Sequence, residues 1–270
     1  MQEELNKLDE VVEILPLPIA AERSAQDTSA KINSGFQCID DCLDGGFREG
    51  DFTVITGVPG EGKTTWARML TLNFAKNGIA SCWFSYEMTI RELWDSFEKM
   101  GADTSLISYV PITLEDDYEW IIRHIDSARR QYAIKAIFID TLGDVVRSVK
   151  KQQELSNYAT YLAQLCKDLR NYAVKNNIMI FAVAHATKQT RSNTNETDNA
   201  DIANSNGIPA AATNIFHIWR DKEDTLLSHV KVGKSRRDGT AKNKKFNFRF
   251  SNYKLLPEGA YEPLEDQFPR

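Results

Sequence analysis

The segment Gly57-Val58-Pro59-Gly60-Glu61-Gly62-Lys63-Thr64 constrains this chain more than any other. It fits the pattern G-x-x-x-x-G-K-[ST] at every fixed position, and it stands between a β-rich apolar run, FTVIT (52–56), and a helical stretch at about 62–77. In that context the glycines let successive backbone N–H groups curl round an anion, and the helix N-terminus adds a favourable partial charge. The chemistry implied is a bound nucleoside triphosphate, ATP, with Mg2+. Gly57, Val58, Pro59, Gly60, Glu61, Gly62, Lys63, Thr64 and Thr65 form the expected phosphate cradle. Lys63 is expected to bridge the β- and γ-phosphates and so to act in catalysis, and Thr64 to hold the metal through its hydroxyl.

The surrounding texture is that of an alternating α/β domain from Ile32 onward. ASCWFS (80–85), KAIFID (135–140) and IMIFAVA (178–184) join FTVIT as short apolar runs without alternation, as parallel strands covered on both faces require. Helices are expected at about 62–77, 89–100, 115–131 and 154–176, the last with a core stripe of Leu155, Tyr158, Leu162, Leu165, Leu169 and Tyr172. After 214, NIFHIW, LLSHVKV and KKFNFRFSNYKLL read as antiparallel strands extending the sheet. The polar stretch 187–207 is too long for a plain connection. Residues 1–14 could form a short amphipathic helix, followed by a linker. The expected organisation is a tail at 1–30 able to pack on a neighbouring subunit, an ATPase domain at 31–256 and a tail at 257–270.

With 270 residues and 42% of them hydrophobic, one full core is available. A formal charge of −5 means that any DNA site must be a local patch or channel. No apolar run reaches transmembrane length, and the N-terminus has neither a signal-peptide core nor a transit pattern, so a cytoplasmic protein is expected. Cys38, Cys42, Cys82 and Cys166 read as reduced thiols, since no second Cys/His pair completes a zinc site.

Three further polar residues stand at strand ends. Asp140 closes KAIFID, where a carboxylate can face the water shell of a metal. Glu87, in WFSYEM, can polarise an attacking water or serve as an acid at the start of the following helix. His185 closes IMIFAVA and reads either as a strand cap or as a group reaching the γ-phosphate.

Taken in order, SGFQCIDDCLDGGFREGDFTVITGVPGEGKTT, SYEM, FIDTLGDV, AVAHATK, GKSRRDG and FNFRFSNYKL resemble the RecA-like ATPase domain of DnaB-like replicative helicases, the Twinkle-type branch most closely. The resemblance covers residues 30–256. It implies an α/β fold with a mainly parallel central sheet flanked by helices and antiparallel C-terminal strands. It assigns Glu87 as catalytic glutamate, makes His185 the Twinkle-type counterpart of a glutamine in most DnaB proteins, and makes Lys234 and Arg236 a trans-acting lysine and arginine finger. Departures occur at Ser205-Asn206-Gly207 and Ala212-Thr213-Asn214, where the family has a Gly-Ser or Ser-Gly and then an Ala-Asp pair.

The function so implied is an ATP-driven helicase: a homo-hexameric ring on single-stranded DNA, moving 5′ to 3′, with primase or other replisome proteins as partners. Two channel loops are expected, at about 144–153 with Arg147, Lys150 and Lys151, and at about 187–207 with Lys188 and Arg191. Two other readings stay open: a RecA- or KaiC-type ATPase, and a non-unwinding switch or loader. No primase-like or helical-bundle segment precedes the domain, which fits either an excised domain or a stand-alone protein.

Overall fold

The computed structural model describes residues 16–19, 31–115, 117–147, 158–187, 195–202 and 207–258, with the side chains of 146, 147 and 158 left aside. The chain divides into two units, Met1–Ala30 and Lys31–Arg270. In the first, residues 17–19 form a helical turn, and the expected helix at 1–14 lies outside the described residues.

The second unit is built on one nine-stranded sheet. In chain order it contains α1 (Gln37–Cys42), β1 (Phe52–Gly57), α2 (Lys63–Lys76), β2 (Ser81–Ser85), α3 (Ile90–Lys99), β3 (Ser108–Tyr109), α4 (Tyr118–Tyr132), β4 (Ala136–Asp140), α5 (Leu142–Arg147), α6 (Tyr158–Asn176), β5 (Met179–His185), α7 (Gly207–Ala211), β6 (Asn214–Arg220), β7 (Leu227–Ser235), β8 (Lys245–Ser251) and β9 (Lys254–Pro257). The strand order is β3-β2-β4-β5-β1-β6-β7-β8-β9. Pairings from β3 through β1 are parallel, and those from β6 to β9 are antiparallel.

One expectation needs correction. NIFHIW, read as antiparallel, forms β6 and runs parallel to β1, with Thr53 beside Asn214; the antiparallel part begins only at β7. An apolar run buried on both faces has no intrinsic direction. The connection through α7 sets it by returning the chain to the end of the sheet where β1 starts.

The parallel strands divide their side chains between two cores. Ile55, Phe138 and Phe181 join Trp66 and Phe74 on one side, whereas Phe52, Val54, Ile137 and Ile139 join Ile121, Leu165 and Leu169 on the other. Strict alternation survives, hidden in sequence because helices cover both faces. Of the expected α6 stripe, Leu162, Leu165 and Leu169 are buried and Tyr172 is partly so; Leu155 lies outside the described residues. The four cysteines are free thiols. Among the described residues no helix is long and apolar enough to cross a membrane.

Candidate active site

A doubly covered parallel sheet presents its ligand-binding groups at the carboxyl ends of its strands. Gly57 ends β1 and is level with His185 on β5, and Ser85 of β2 is level with Asp140 on β4. Four strands that alternate in sequence therefore deliver Lys63, Thr64, Glu87, Asp140 and His185 to one rim.

The loop between β1 and α2 is shaped by its glycines. A Cβ on Gly57 would fall 2.1 Å from the carbonyl oxygen of Ile218 on β6, so only glycine fits there. Gly62 caps α2 at φ 100°, a left-handed conformation that L side chains resist. Pro59 and Gly60 are exposed, and a Cβ on Gly60 would meet nothing within 4 Å. The Lys63 Nζ donates to the Val58 carbonyl at 2.9 Å, a neutral partner for a mostly buried ammonium. Burial lowers its pKa, partly offset by Glu87, Asp140 and Glu61.

Thr64 Oγ1 donates to Asp140 Oδ2 at 2.8 Å. Asp140 is fully buried, and burial raises its pKa to about 6, with Glu87 adding to the rise while the Thr64 hydroxyl, Lys63 and His185 oppose it. Its Oδ1 has no partner among the described residues. A buried carboxylate oxygen held free beside a threonine hydroxyl suits the water shell of Mg2+. Among the described residues no group of three or more His, Cys, Asp or Glu could hold a metal by itself, and Mg2+ ordinarily takes one or two carboxylates together with several waters and substrate phosphate oxygens. The residues present therefore fit a magnesium nucleoside triphosphate. Arg68, which carries no motif signal in the sequence, donates to Thr65 Oγ1 and to the Thr64 carbonyl, bracing the first turn of α2.

Glu87 does not cap α3. Thr89 does, forming a capping box with Glu92. The Glu87 N–H lies 3.3 Å from the Asp140 carbonyl, and its Oε1 lies 2.8 Å from His185 Nε2. Glu87 and His185, 98 residues apart and read separately in the sequence, thus form one pair. With Nε2–H donating to the carboxylate, the buried Nδ1 is left without a partner among the described residues.

Lys234 and Arg236 are not brought to this rim. Lys234 is level with Ile215 and Ser235 with Asn214, which is itself beside Thr53 at the start of β1. Four residues of strand, roughly 13 Å of rise, separate that level from Gly57. Lys234 Nζ donates to the Pro209 carbonyl and Arg236 Nη2 to the Ala210 carbonyl, each at 2.5 Å. Burial, with Arg236 and Arg170 adding, lowers the Lys234 pKa to about 8. Arg237 is anchored on the fully buried Asp51 at 2.8 Å, tying this element to the start of β1. The backbone of Arg147 closes α5; its side chain, with Lys150, Lys151, Lys188 and Arg191, lies outside the described residues.

Fold and rim together define a P-loop ATPase of RecA-like architecture. The chain belongs to the family described as "ATPase: KaiC", whose model matches residues 32–204. Circadian clock oscillator protein KaiC of Acaryochloris marina (strain MBIC 11017) is 26% identical over 151 residues, covering 52% of this chain and 28% of that protein. The chain thus spans less than a third of the length of this curated relative. Similar solved structures include a DnaB-like replicative helicase studied for its interactions with primase (TM-score 0.74, 94% of this chain and 70% of that chain). They also include a KaiC-like protein from the hyperthermophilic archaeon Pyrococcus horikoshii OT3 (TM-score 0.67, 85% of this chain and 99% of that chain). Each of the two is 16% identical, so the likeness is one of fold.

Proposed function

We propose that this protein is a DNA-dependent ATPase motor, hydrolysing ATP between subunits of a homo-hexameric ring that moves 5′ to 3′ on single-stranded DNA and unwinds duplex. The observation that carries the reading is the placement of Lys234 and Arg236 at the end of the sheet opposite their own phosphate loop, where among the described residues their side chains bond to backbone carbonyls. There a guanidinium can serve the nucleotide of another copy and not its own. The likeness of fold to a DnaB-like replicative helicase supports the same reading.

In this scheme the phosphate-loop backbone and Lys63 hold the triphosphate, and Thr64 and Asp140 hold Mg2+. The metal, when bound, neutralises phosphate charge. Glu87, oriented by His185, accepts the proton of the attacking water. Lys234 and Arg236 of the adjacent copy stabilise charge as it develops on the γ-phosphate. Arg147, Lys150, Lys151, Lys188 and Arg191 are assigned to the DNA backbone, and a primase is a candidate partner. Residues 31–256 are taken as the motor, with the two tails outside it.

The KaiC family match and the KaiC relative favour a second reading, an ATPase of the same fold that does not unwind. A forked duplex with a labelled strand separates the two. ATP-dependent strand release supports the motor; ATP turnover without release, at DNA-saturating concentrations, supports the second reading.

A further inference from the structure

Glu61 is the x before Gly-Lys-Thr, a position the phosphate-loop pattern leaves free. Its side chain is nevertheless buried beside an exposed loop tip. Oε2 accepts the backbone N–H of Arg220 at the end of β6 at 2.5 Å, and Oε1 accepts from Asn195 Nδ2 at 2.8 Å. Asn195 opens a run of five residues whose side chains all bond to other elements. Glu196 accepts from Lys231 of β7 and Lys245 of β8. Thr197 lies 2.9 Å from Nδ1 of the fully buried His217, and Asp198 accepts from Lys231. Asn199 meets His217 Nε2 through its oxygen and donates to the Gly233 carbonyl through its nitrogen. One His217 tautomer, protonated on Nε2, satisfies both of its partners. Gly233 is indispensable to this packing, since a Cβ there would sit 2.5 Å from His217 Nε2.

The run therefore spans from the phosphate loop to β7, and the residue after Gly233 is Lys234. Most of these bonds end on a buried group, Glu61, Lys231 or His217, and hydrogen bonds to buried groups hold their partners in register more firmly than exposed pairs do. Fixing the backbone at Glu61 around a phosphate also fixes the carboxylate that Asn195 grips.

We infer that Glu61 and Asn195 are positioning residues that link nucleotide occupancy to β7: filling the phosphate loop fixes residues 195–199, and these fix the strand that presents Lys234 and Arg236. The link is separate from the Glu87–His185 pair. It rests on nucleotide binding at the phosphate loop, not on DNA, unwinding or a ring. Linkage makes it reciprocal, so the placement of 195–199 also sets nucleotide affinity.

Amide hydrogen exchange of the full chain with and without saturating Mg·ADP tests it. In the wild type, ADP is expected to slow exchange at 58–65 and also at 195–202 by about fivefold or more, the lower end of ordinary coupling between sites. In Asn195→Ala, 58–65 stays protected while the slowing at 195–202 is lost. Asn195→Asp, nearly isosteric, places a carboxylate against Glu61 and gives the same loss, which guards against a packing defect in the alanine variant. Slowing at 195–202 that persists in both variants overturns the link, as does a wild type in which ADP protects 58–65 but not 195–202. Absence of protection at 58–65 itself in the wild type would instead remove nucleotide binding, and the link with it.

Discussion

The two ends of β1 carry opposite kinds of site. At the carboxyl end, Lys63 stands among Glu61, Glu87 and Asp140, and every charged group there has an oppositely charged or hydrogen-bonding neighbour. At the amino end, Lys234 and Arg236 lie with Arg170; among the described residues the buried Arg170 Nε has no partner and none of the three forms an ion pair with a carboxylate. Lys234 and Arg236 bond to backbone carbonyls. A nucleotide pocket at one end of the sheet and a cation cluster at the other would suit the proposed head-to-tail assembly, in which the second end of one copy meets the first end of the next. This contrast, more than the phosphate loop alone, motivates the proposal of a shared active site.

Removing a charge from either edge probes the contrast. Arg236→Ala is expected to cut turnover by about 10³- to 10⁵-fold, the range for arginine fingers, while leaving ATP affinity in a filter-binding assay near that of the wild type. Affinity falling in parallel with turnover would place Arg236 at its own pocket. Lys63→Ala, on the other edge, should lower turnover by about 10³-fold and weaken binding as well, because the phosphates lose a cation in a water-poor site. Normal turnover in that variant would remove the phosphate-loop assignment.

Glu87→Gln is a milder change. Glutamine can still accept from His185 Nε2–H, so the site keeps its geometry and loses only the base. Turnover per bound ATP should fall by about 10²-fold or more. Unchanged turnover with collapsed binding would make Glu87 structural.

The smallest effect concerns stability at the link between the edges. Burial lowers the His217 pKa to about 4, with Lys231 of β7 reinforcing it and Asp198, Asp201 and Glu196 opposing. The unfolded chain takes up this proton near the ordinary value of about 6.5, before the folded one does, so stability is lost as pH falls from about 6.5 to 4. The loss amounts to about 2–3 kcal/mol by about pH 4.5, at roughly 1.36 kcal/mol for each tenfold difference in proton affinity. His217→Gln should lack that share of the acid sensitivity in urea titrations at about pH 7 and pH 4.5. An identical loss in the variant would mean that His217 is not the titrating group.

Much of the carboxyl-end site was legible because its parts are local: a glycine-rich loop between a strand and a helix, and polar residues closing apolar runs. β1, β2, β4 and β5 lie where their apolar runs predict, within a residue at each end. What was not legible depends on contacts across the fold. The direction of β6 follows from its connection, not its composition. β3, two half-buried residues at Ser108–Tyr109, leaves no apolar run to detect. Glu61 and Asn195 are 134 residues apart, and neither is unusual in its own stretch of sequence. The Glu87–His185 pair required the strand order β2-β4-β5, which places their strand ends on one rim.

The proposed shared site is tested most directly by mixing two variants expected to be inactive. Arg236→Ala subunits keep an intact phosphate loop, and Lys63→Ala subunits keep an intact finger. Where the first receives the finger of the second, one complete site is restored, so ATP turnover in the mixture should rise well above that of either variant alone and depend on total protein concentration. A mixture that stays inactive although mixed oligomers are seen by native mass spectrometry would contradict the account, as would wild-type monomers that hydrolyse ATP at the full rate.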